Sequence, residues 1–441
     1  MTTKSKTERG IKYPQTLISL REKLGQKAKR EPKFRFYSLY GHLMRKDVLR
    51  TAWRISRRNN GSPGIDNLTF KQIEDAEGGV ERFLDDLSET LREKTYRADP
   101  VKRVYIPKAN GKPRPLGMIT IKDRIVQTAL LLILEPIFET DFLDCSYGFR
   151  PNKSAHEAID VLQKQIHNGS LESYDADLED CFGSIPQDKL MVTMEQRISD
   201  RQILKLLRMY LKASVRENGK PQYKPTKGIQ QGGVISPLLT NAYLNWFDKA
   251  FYGANSPAHK LGAKLLRYAD DIVAVAKEIT PELQEFIERI LEDKLGLKLN
   301  REKTKKVHLN QGEPLSFLGY TFRYIPLVRS PHRKYCNYHV SKKAMIKGRR
   351  SVKTLAQTIG RSWKAEDFIQ RLNLYLEGWG RYFCLGYSSK EFGKLNSYVR
   401  STVRKQFMRK SQRGYKIGKD ENWYQHLKKL GLITLSKERF A

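Results

Sequence analysis

The sequence predicts an α+β fold, and two features of its pattern indicate this. From about residue 171, short apolar runs of strand length are set between longer stretches with helical spacing, and from about residue 345 the pattern is mostly helical. The chain has 441 residues, of which 39% are hydrophobic. This is enough chain and enough apolar side chain for more than one folded core.

The amino-terminal part predicts helices around one β-hairpin. Apolar residues at roughly helical spacing predict one helix over 36–58 and another over about 79–94. Alternation over 102–107, followed by turn residues at 109–112, predicts a hairpin. The next stretch, 123–137, is rich in apolar residues and predicts a buried helix.

The central part predicts strands and helices in alternation. Residues 173–178 and 265–276 have strand character, although two Asp interrupt the second run. Ser236-Pro237 is typical of a helix start, with Ser as the N-cap and Pro at the first helical position. A further helix is predicted over about 281–295 and a strand over 317–324.

Positive charge is concentrated at the two ends of the chain. The formal net charge is +34; residues 1–60 contribute +13 and residues 341–441 contribute +17, so the middle is nearly balanced. Nucleic acid is therefore the first partner to consider, and an anionic membrane surface is the second. The ends could instead be merely solubilising, but their aromatic and aliphatic residues favour folded binding surfaces. Within the first end, residues 1–33 are expected to be partly flexible until bound.

The four cysteines are scattered and form no CxxC pair. This pattern argues against a disulfide framework and a zinc ribbon, so a cytoplasmic, reducing location is the default. The start of the chain lacks the apolar core of a signal peptide, and the longest apolar run, 129–134, is too short to span a bilayer.

Two adjacent carboxylates, Asp270 and Asp271, lie between two apolar strand-like runs. Buried in a sheet they would be costly, whereas a tight turn would expose them together at its tip. Paired carboxylates at such a tip suit Mg²⁺, which takes hard oxygen ligands. The alternative is a hairpin turn that merely contains Asp-Asp.

A second acidic segment follows a predicted strand. Asp175 and Asp177 share one face of that strand, and either could join Asp270 and Asp271 to hold two Mg²⁺ ions. Such a pair of ions serves phosphoryl transfer, where positioning and charge are the main requirements. A solvated acidic loop is the alternative for this segment.

The order of short motifs resembles that of the reverse transcriptases encoded by group II introns, the maturase-type family. The resemblance covers about residues 36–441, and the motifs occur in the family's order. They are Ser62-Pro63-Gly64-Ile65-Asp66, Ile106-Pro107-Lys108 with Arg114-Pro115-Leu116-Gly117, Tyr147-Gly148-Phe149-Arg150-Pro151, the stretch Asp175–Phe182, Gln231-Gly232-Gly233-Val234-Ile235-Ser236-Pro237-Leu238-Leu239, Tyr268-Ala269-Asp270-Asp271 and Phe317-Leu318-Gly319-Tyr320.

The resemblance selects Asp177 over Asp175, because in this family the catalytic Asp lies five residues before an aromatic residue, here Phe182. It implies that Asp177, Asp270 and Asp271 hold two Mg²⁺ ions. It also implies that Phe182 packs against the sugar of the incoming nucleotide and excludes a 2′-OH.

The same resemblance implies a nucleotide pocket. Lys108 and Arg114 would contact the phosphates, as point charge and planar fork respectively, and Gln231 would belong to the pocket. Lys303 resembles the family's basic residue near the active site. Ordinary surface basicity is the alternative for Lys108 and Arg114. A plain loop is the alternative for the glycines that follow Gln231, and a solvated helix end is the alternative for Lys303.

The resemblance further implies a right-hand polymerase, with an antiparallel sheet in the palm and a helical thumb. The expected division is a basic extension over 1–60 that covers template RNA, fingers over 61–165, a palm over 166–335, and a thumb or maturase (X) domain over 336–441. In the thumb, one helix has an apolar stripe for packing and a basic face for phosphates. The cations predicted to bind nucleic acid are Arg400, Arg404, Lys405, Arg409 and Lys410.

The predicted function is RNA-directed DNA synthesis. The 3′-OH of a DNA or RNA primer, paired to an RNA template, would attack the α-phosphate of a dNTP. The template is expected to be intron RNA. The protein is also expected to bind intron RNA to assist splicing and retromobility, and no membrane partner is expected. The cysteine pairs and His/Asn motif of the endonuclease found in many relatives are not seen, so no integral endonuclease is expected. The alternatives are a splicing maturase in which polymerisation is secondary, and a domesticated relative in repair or phage defence.

Overall fold

The computed structural model describes residues 7–8, 10–107, 111, 113–359, 364–409, 415, 417 and 421–440. Within them the chain forms both helices and strands, which confirms the α+β class. The α-helices are α1 (Gln15–Arg30), α2 (Tyr40–Leu43), α3 (Lys46–Asn59), α4 (Phe70–Asp75), α5 (Gly79–Arg92), α6 (Ile121–Phe138), α7 (Ala155–His167), α8 (Cys181–Ser184), α9 (Gln187–Glu195), α10 (Arg201–Leu211), α11 (Ser236–Phe251), α12 (Pro257–Lys260), α13 (Pro281–Arg289), α14 (Lys342–Ile359), α15 (Ala365–Tyr382), α16 (Ser389–Met408) and α17 (Trp423–Lys429).

The strands of the described residues form four sheets. They are β1 (Thr7–Glu8), β2 (Ile11–Lys12), β3 (Val101–Pro107), β4 (Pro113–Met118), β5 (Glu172–Asp177), β6 (Val215–Arg216), β7 (Lys264–Tyr268), β8 (Asp271–Ala276), β9 (Lys305–His308), β10 (Leu315–Phe317), β11 (Tyr320–Leu327) and β12 (Ser330–Val340). The sheet orders are β1-β2, β4-β3-β6, β7-β8-β5-β9 and β10-β11-β12.

The chain divides into two compact units, each made of separate segments. The first contains Met1–Lys153, Ala176–Ile272 and Thr280–Lys305; the second contains Ser154–Asp175, Val273–Ile279 and Lys306–Ala441. The four-part division at residues 60, 165 and 335 stays a prediction.

Helix α6, which the sequence predicts as a buried helix, is the centre of the first unit. Nearly all of its side chains are buried, and α1, α2, α3 and α11 pack against it. Helix α1 lies within residues 1–33, the stretch expected to be partly flexible until bound. Helix α1 buries Leu17, Leu20 and Leu24, whose helical spacing supplies one apolar face for packing on α6.

Two details of the first unit differ from the sequence predictions. The single helix expected over 36–58 is two helices, α2 and α3, because Arg45 is extended (ψ 134°) and its guanidinium binds Asp47 in the first turn of α3. Ser236 does not cap α11. Its hydroxyl donates to the Gln230 carbonyl at 2.8 Å, and the N-cap is Ile235. The predicted hairpin is formed by β3 and β4, which pair from Lys102 opposite Met118 to Pro107 opposite Pro113.

The second unit contains a long hairpin followed by helices. The strand expected over 317–324 is broken by a turn at Leu318 and Gly319, both with positive φ, which separates β10 from β11. The helices α14, α15, α16 and α17 pack together after it. The predicted apolar stripe of α16 is confirmed, because Leu395, Val399, Val403 and Phe407 are all buried.

In the part of the chain that the structure describes, every helix lacks either the length or the apolar character needed to cross a bilayer.

Candidate active site

The strand order brings the three predicted aspartates to one end of a sheet. Strands β5 and β8 are neighbours. The Glu172 carboxylate, at the start of β5, accepts a hydrogen bond from the Ile279 amide, just beyond the end of β8 (2.7 Å). The two strands therefore run in opposite directions, so Asp177 at the end of β5 lies beside Asp271 at the start of β8.

A tight turn between β7 and β8 presents Asp270 and Asp271, as the sequence predicts. Ala269 has φ of +57°, in the left-handed region that a side chain disfavours. Asp271 is exposed, and Asp270 is half-buried. This turn keeps both carboxylates out of the sheet interior, where their desolvation would be costly.

Asp177 is held by the segment that leads into β9. Its backbone carbonyl accepts from the Asn300 amide (2.8 Å), and its own amide donates to the Thr304 hydroxyl (3.2 Å). The Lys303 ammonium donates to Asp177 Oδ2 at 2.9 Å. Lys303, taken from the family resemblance, therefore lies directly against one of the predicted metal ligands.

The carboxylate oxygens of Asp177, Asp270 and Asp271 are ligands of the kind that a divalent cation prefers. Among the described residues, no group of three or more His, Cys, Asp or Glu side chains is already arranged to hold a metal ion. Mg²⁺ sites in polymerases need few protein ligands, because substrate phosphates and water complete the coordination. Three carboxylates from two neighbouring strand ends satisfy that requirement.

Helix α8 begins at Cys181, four residues after Asp177, and its first residue lies near Asp270. Burial raises the pKa of the Cys181 thiol to about 12, and the negative charge of Asp270 acts in the same direction. Asp270 thus lies near the first residue of α8. Phe182, the next residue, is only 9% exposed, and its carbonyl accepts from the Ile229 amide at 2.6 Å.

Arg114 and Gln231, both predicted for the nucleotide pocket, are joined by a hydrogen bond. Arg114 Nε donates to Gln231 Oε1 (3.2 Å), and Gln231 Nε2 donates to Asp180 Oδ1 (3.0 Å). The loop approaches β4 closely at the next residue, since a Cβ on Gly232 would lie 2.4 Å from the Gly117 carbonyl oxygen. Only glycine fits this position, which also has φ of +108°.

A cavity of about 330 Å³ adjoins this hydrogen-bonded chain. Its wall includes Asp180 and Gln231 together with three cations that the sequence analysis did not single out, Arg103, Lys224 and Lys227. A cavity lined by several cations suits a polyanionic ligand.

Two predicted cations, Lys108 and Lys410, lie outside the described residues. On α16, Arg400 and Arg404 stack over the rings of Tyr424 and Trp423, with 5.6 and 5.8 Å from guanidinium carbon to ring centre. Both residues are therefore partly engaged within the protein. Lys405 and Arg409 are exposed.

Helix α14 has a basic surface that the sequence analysis missed. It carries six Lys and Arg and no Asp or Glu, and all six side chains are exposed. Among the described residues, no carboxylate forms an ion pair with any of them. The available signal was the absence of acidic residues from 314 to 365. The cations are Lys342, Lys343, Lys347, Arg349, Arg350 and Lys353.

Two family models match the chain. Residues 106–322 match the family described as "Reverse transcriptase (RNA-dependent DNA polymerase)", and residues 346–429 match "Group II intron, maturase-specific domain". Together these matches imply an RNA template and nucleic-acid binding. Polymerases of this kind use divalent metal ions.

Similar proteins include Protein YkfC of Escherichia coli (strain K12), 35% identical over 339 residues that cover 69% of this chain and 87% of YkfC. The group II intron-encoded protein LtrA of Lactococcus lactis subsp. cremoris is 30% identical over 350 residues, 65% of this chain and 57% of LtrA. The chain thus spans little more than half of the length of LtrA.

The fold also resembles that of a solved viral polymerase. A Sicinivirus 3Dpol RNA-dependent RNA polymerase superposes with a TM-score of 0.52 at 14% identity, over 89% of this chain and 81% of the viral chain. This match confirms the right-hand polymerase fold. With both family models in their expected order, the chain belongs to the group II intron-encoded reverse transcriptases that carry a maturase domain.

Proposed function

We propose that Asp177, Asp270 and Asp271 form the centre at which this reverse transcriptase adds dNTPs to a primer paired with an RNA template. The observation that supports this most is the antiparallel pairing of β5 and β8, from which all three carboxylates come to one sheet end. Two Mg²⁺ ions bound there would activate the attacking 3′-OH and stabilise the leaving pyrophosphate.

The chain's own residues supply positioning and charge. The backbone hydrogen bonds of Asp177 to Asn300 and Thr304 fix the end of β5. Lys303 offsets part of the negative charge of Asp177, which reduces repulsion among the three carboxylates.

Arg114, Gln231 and Phe182 are proposed to bind the dNTP, with Lys108 as a further phosphate contact. Arg114 is exposed on β4 and aligned by Gln231, so its planar fork is available to phosphate oxygens. Phe182, held on the short helix α8, is proposed to limit space at the 2′ position of the sugar.

The exposed cations of α14, with Lys405 and Arg409 of α16, are proposed to bind the phosphates of intron RNA or of the template–primer duplex. Phosphate contacts position a nucleic acid without reading its sequence. Lys410 is proposed to act with them.

Primer extension on an RNA template by the purified protein tests the catalytic proposal. We expect Asp270→Ala plus Asp271→Ala to abolish Mg²⁺-dependent synthesis. Asp85→Ala plus Asp86→Ala is the matched control, because these adjacent carboxylates are exposed on α5. Undiminished synthesis by the Asp270/Asp271 double variant would overturn the assignment.

Splicing assistance is a second candidate role, favoured by the maturase match over residues 346–429. It requires basic surfaces rather than the three aspartates. We expect the Asp270/Asp271 double variant to retain group II intron splicing activity and an α14 charge variant to lose it. Loss of splicing in the aspartate variant with intact RNA binding would contradict this separation.

A further inference from the structure

A fully buried guanidinium lies below the turn that carries Asp270 and Asp271. Arg267 is 0% exposed, and so is its ion-pair partner Asp248 on α11. Arg267 Nε and Nη2 donate to the two carboxylate oxygens of Asp248 at 2.8 and 2.6 Å. A charge in such a place persists only where a partner and hydrogen bonds compensate its lost hydration.

The remaining donor nitrogen points toward the turn rather than toward Asp248. Arg267 Nη1 donates to the Ala269 carbonyl (3.1 Å) and to Asn241 Oδ1 (2.9 Å). The Asn241 amide in turn donates to the Gly148 carbonyl at 2.8 Å. These contacts satisfy the remaining donor nitrogen of the buried guanidinium and, at the same time, connect it with the turn and with Asn241.

The backbone on both sides of this network is unusual. Ala269 is in the left-handed region, which a side chain adopts only when its surroundings impose it. The Gly148 backbone packs on it so closely that a Cβ on Gly148 would lie 2.4 Å from the Ala269 nitrogen. Arg267 therefore contacts Ala269 directly and, through Asn241, the segment that packs on Ala269.

We propose that Arg267, with Asp248 and Asn241, is a positioning residue that fixes the left-handed turn at Ala269 and thereby the direction of the Asp270 and Asp271 carboxylates. The role rests on the proposed catalytic centre. Its physical basis is preorganisation, because displacing a catalytic group by about 1 Å costs on the order of 10²-fold in rate.

The test compares Arg267→Lys with the wild type and with a matched control, Arg197→Lys. Lysine keeps the charge but lacks the planar fork that serves Asp248, Asn241 and Ala269 together. Arg197 is also buried and pairs with a carboxylate, that of Asp141 at 3.1 Å, but among the described residues its hydrogen bonds go to Ala28, Glu31, Pro32 and Phe34 and not to the turn. All assays run below the melting temperature of each variant.

Three quantities are measured for each protein. These are kcat and KM for the dNTP in primer extension, the affinity for Mn²⁺ from loss of the free-ion EPR signal, and hydrogen exchange of the amides of residues 268–271. For Arg267→Lys we expect kcat to fall about 10²-fold with KM unchanged. We also expect Mn²⁺ affinity to fall about tenfold and turn exchange to quicken.

Wild-type exchange at residues 268–271 and wild-type kcat in Arg267→Lys would overturn the positioning role. Equal changes in Arg197→Lys would also overturn it, since the effect would then be general destabilisation. If Arg267→Lys does not fold, Asn241→Ser gives the same readouts with the ion pair intact, and unchanged values there likewise refute the proposal. If the catalytic proposal itself is wrong, the wild type will show no Mg²⁺-dependent synthesis. That result is distinct from the outcomes that test the positioning role.

Discussion

Neutralising one stripe of α14 should weaken RNA binding in a way that depends on salt concentration. Lys343, Lys347 and Arg350 are spaced four and three residues apart, so they lie on one face of the helix. All three are exposed. The opposite face packs inward through Met345, Val352 and Ala356, so replacing the three cations by Gln should leave the helix folded.

The size of the effect follows from counterion release. For single-stranded nucleic acid, each neutralised phosphate contributes about −0.7 to the slope of log affinity against log salt concentration. Three lost contacts should therefore reduce the magnitude of that slope by about 2. The loss in affinity should be largest at low salt and small at high salt.

Fluorescence anisotropy with a labelled RNA, over a series of KCl concentrations, measures this slope. The control variant replaces three exposed cations that already pair with carboxylates of Glu195, Glu217 and Glu179, namely Arg208, Lys220 and Lys298. Its slope should stay within the error of the wild type. An unchanged slope in the α14 variant, or an equal reduction in the control, would refute the assignment of α14 as an RNA-binding face.

Three other predictions concern the first unit. Phe182→Val should raise ribonucleotide incorporation by about 10²-fold if the ring limits space at the 2′ position; unchanged dNTP/rNTP discrimination would contradict that role. Burial raises the pKa of Asp123 from 3.8 to about 6. Its contribution to stability is therefore fully present below about pH 4 and is lost as pH rises through about 6, by about 3 kcal/mol. Urea unfolding from pH 4 to 7 should show this loss in the wild type and not in Asp123→Asn; identical profiles would contradict it. Gly228→Ala should destabilise more than Gly219→Ala. Both glycines have positive φ, but only at Gly228 would the new Cβ meet backbone, 2.5 Å from the Gly183 carbonyl oxygen. Thermal melting of the two variants decides this, and equal losses would show that only the left-handed strain matters.

The features that local sequence determines could be predicted well. Apolar spacing predicted α5 and the buried helix α6 within two or three residues, and the alternation over 102–107 with turn residues at 109–112 predicted the hairpin. Errors occurred where side chains form specific contacts. The Arg45 guanidinium donates to the Asp47 carboxylate where the chain breaks between α2 and α3. The Ser236 hydroxyl donates to the Gln230 carbonyl rather than capping α11.

Parts of the candidate site depend on contacts between residues far apart in the chain. Arg267 appeared as one polar residue in an apolar run, because its partners Asp248 and Asn241 belong to a separate helix. The basic face of α16 could be predicted from the spacing of its cations along the helix. The stacking of Arg400 and Arg404 on Tyr424 and Trp423 could not be predicted, since those rings belong to α17. Spacing along one helix cannot reveal which cations a neighbouring helix already engages.

Metal binding by the complex of protein, primer, RNA template and a non-hydrolysable dNTP tests the central claim most directly. Counting bound Mn²⁺ by EPR compares the wild type with Asp177→Asn, whose side chain keeps the shape but loses the negative charge. We expect two ions in the wild-type complex, and weakened or incomplete occupancy in the variant. Equal stoichiometry and affinity in the two proteins would contradict the assignment of Asp177, Asp270 and Asp271 as the metal-binding centre of this reverse transcriptase.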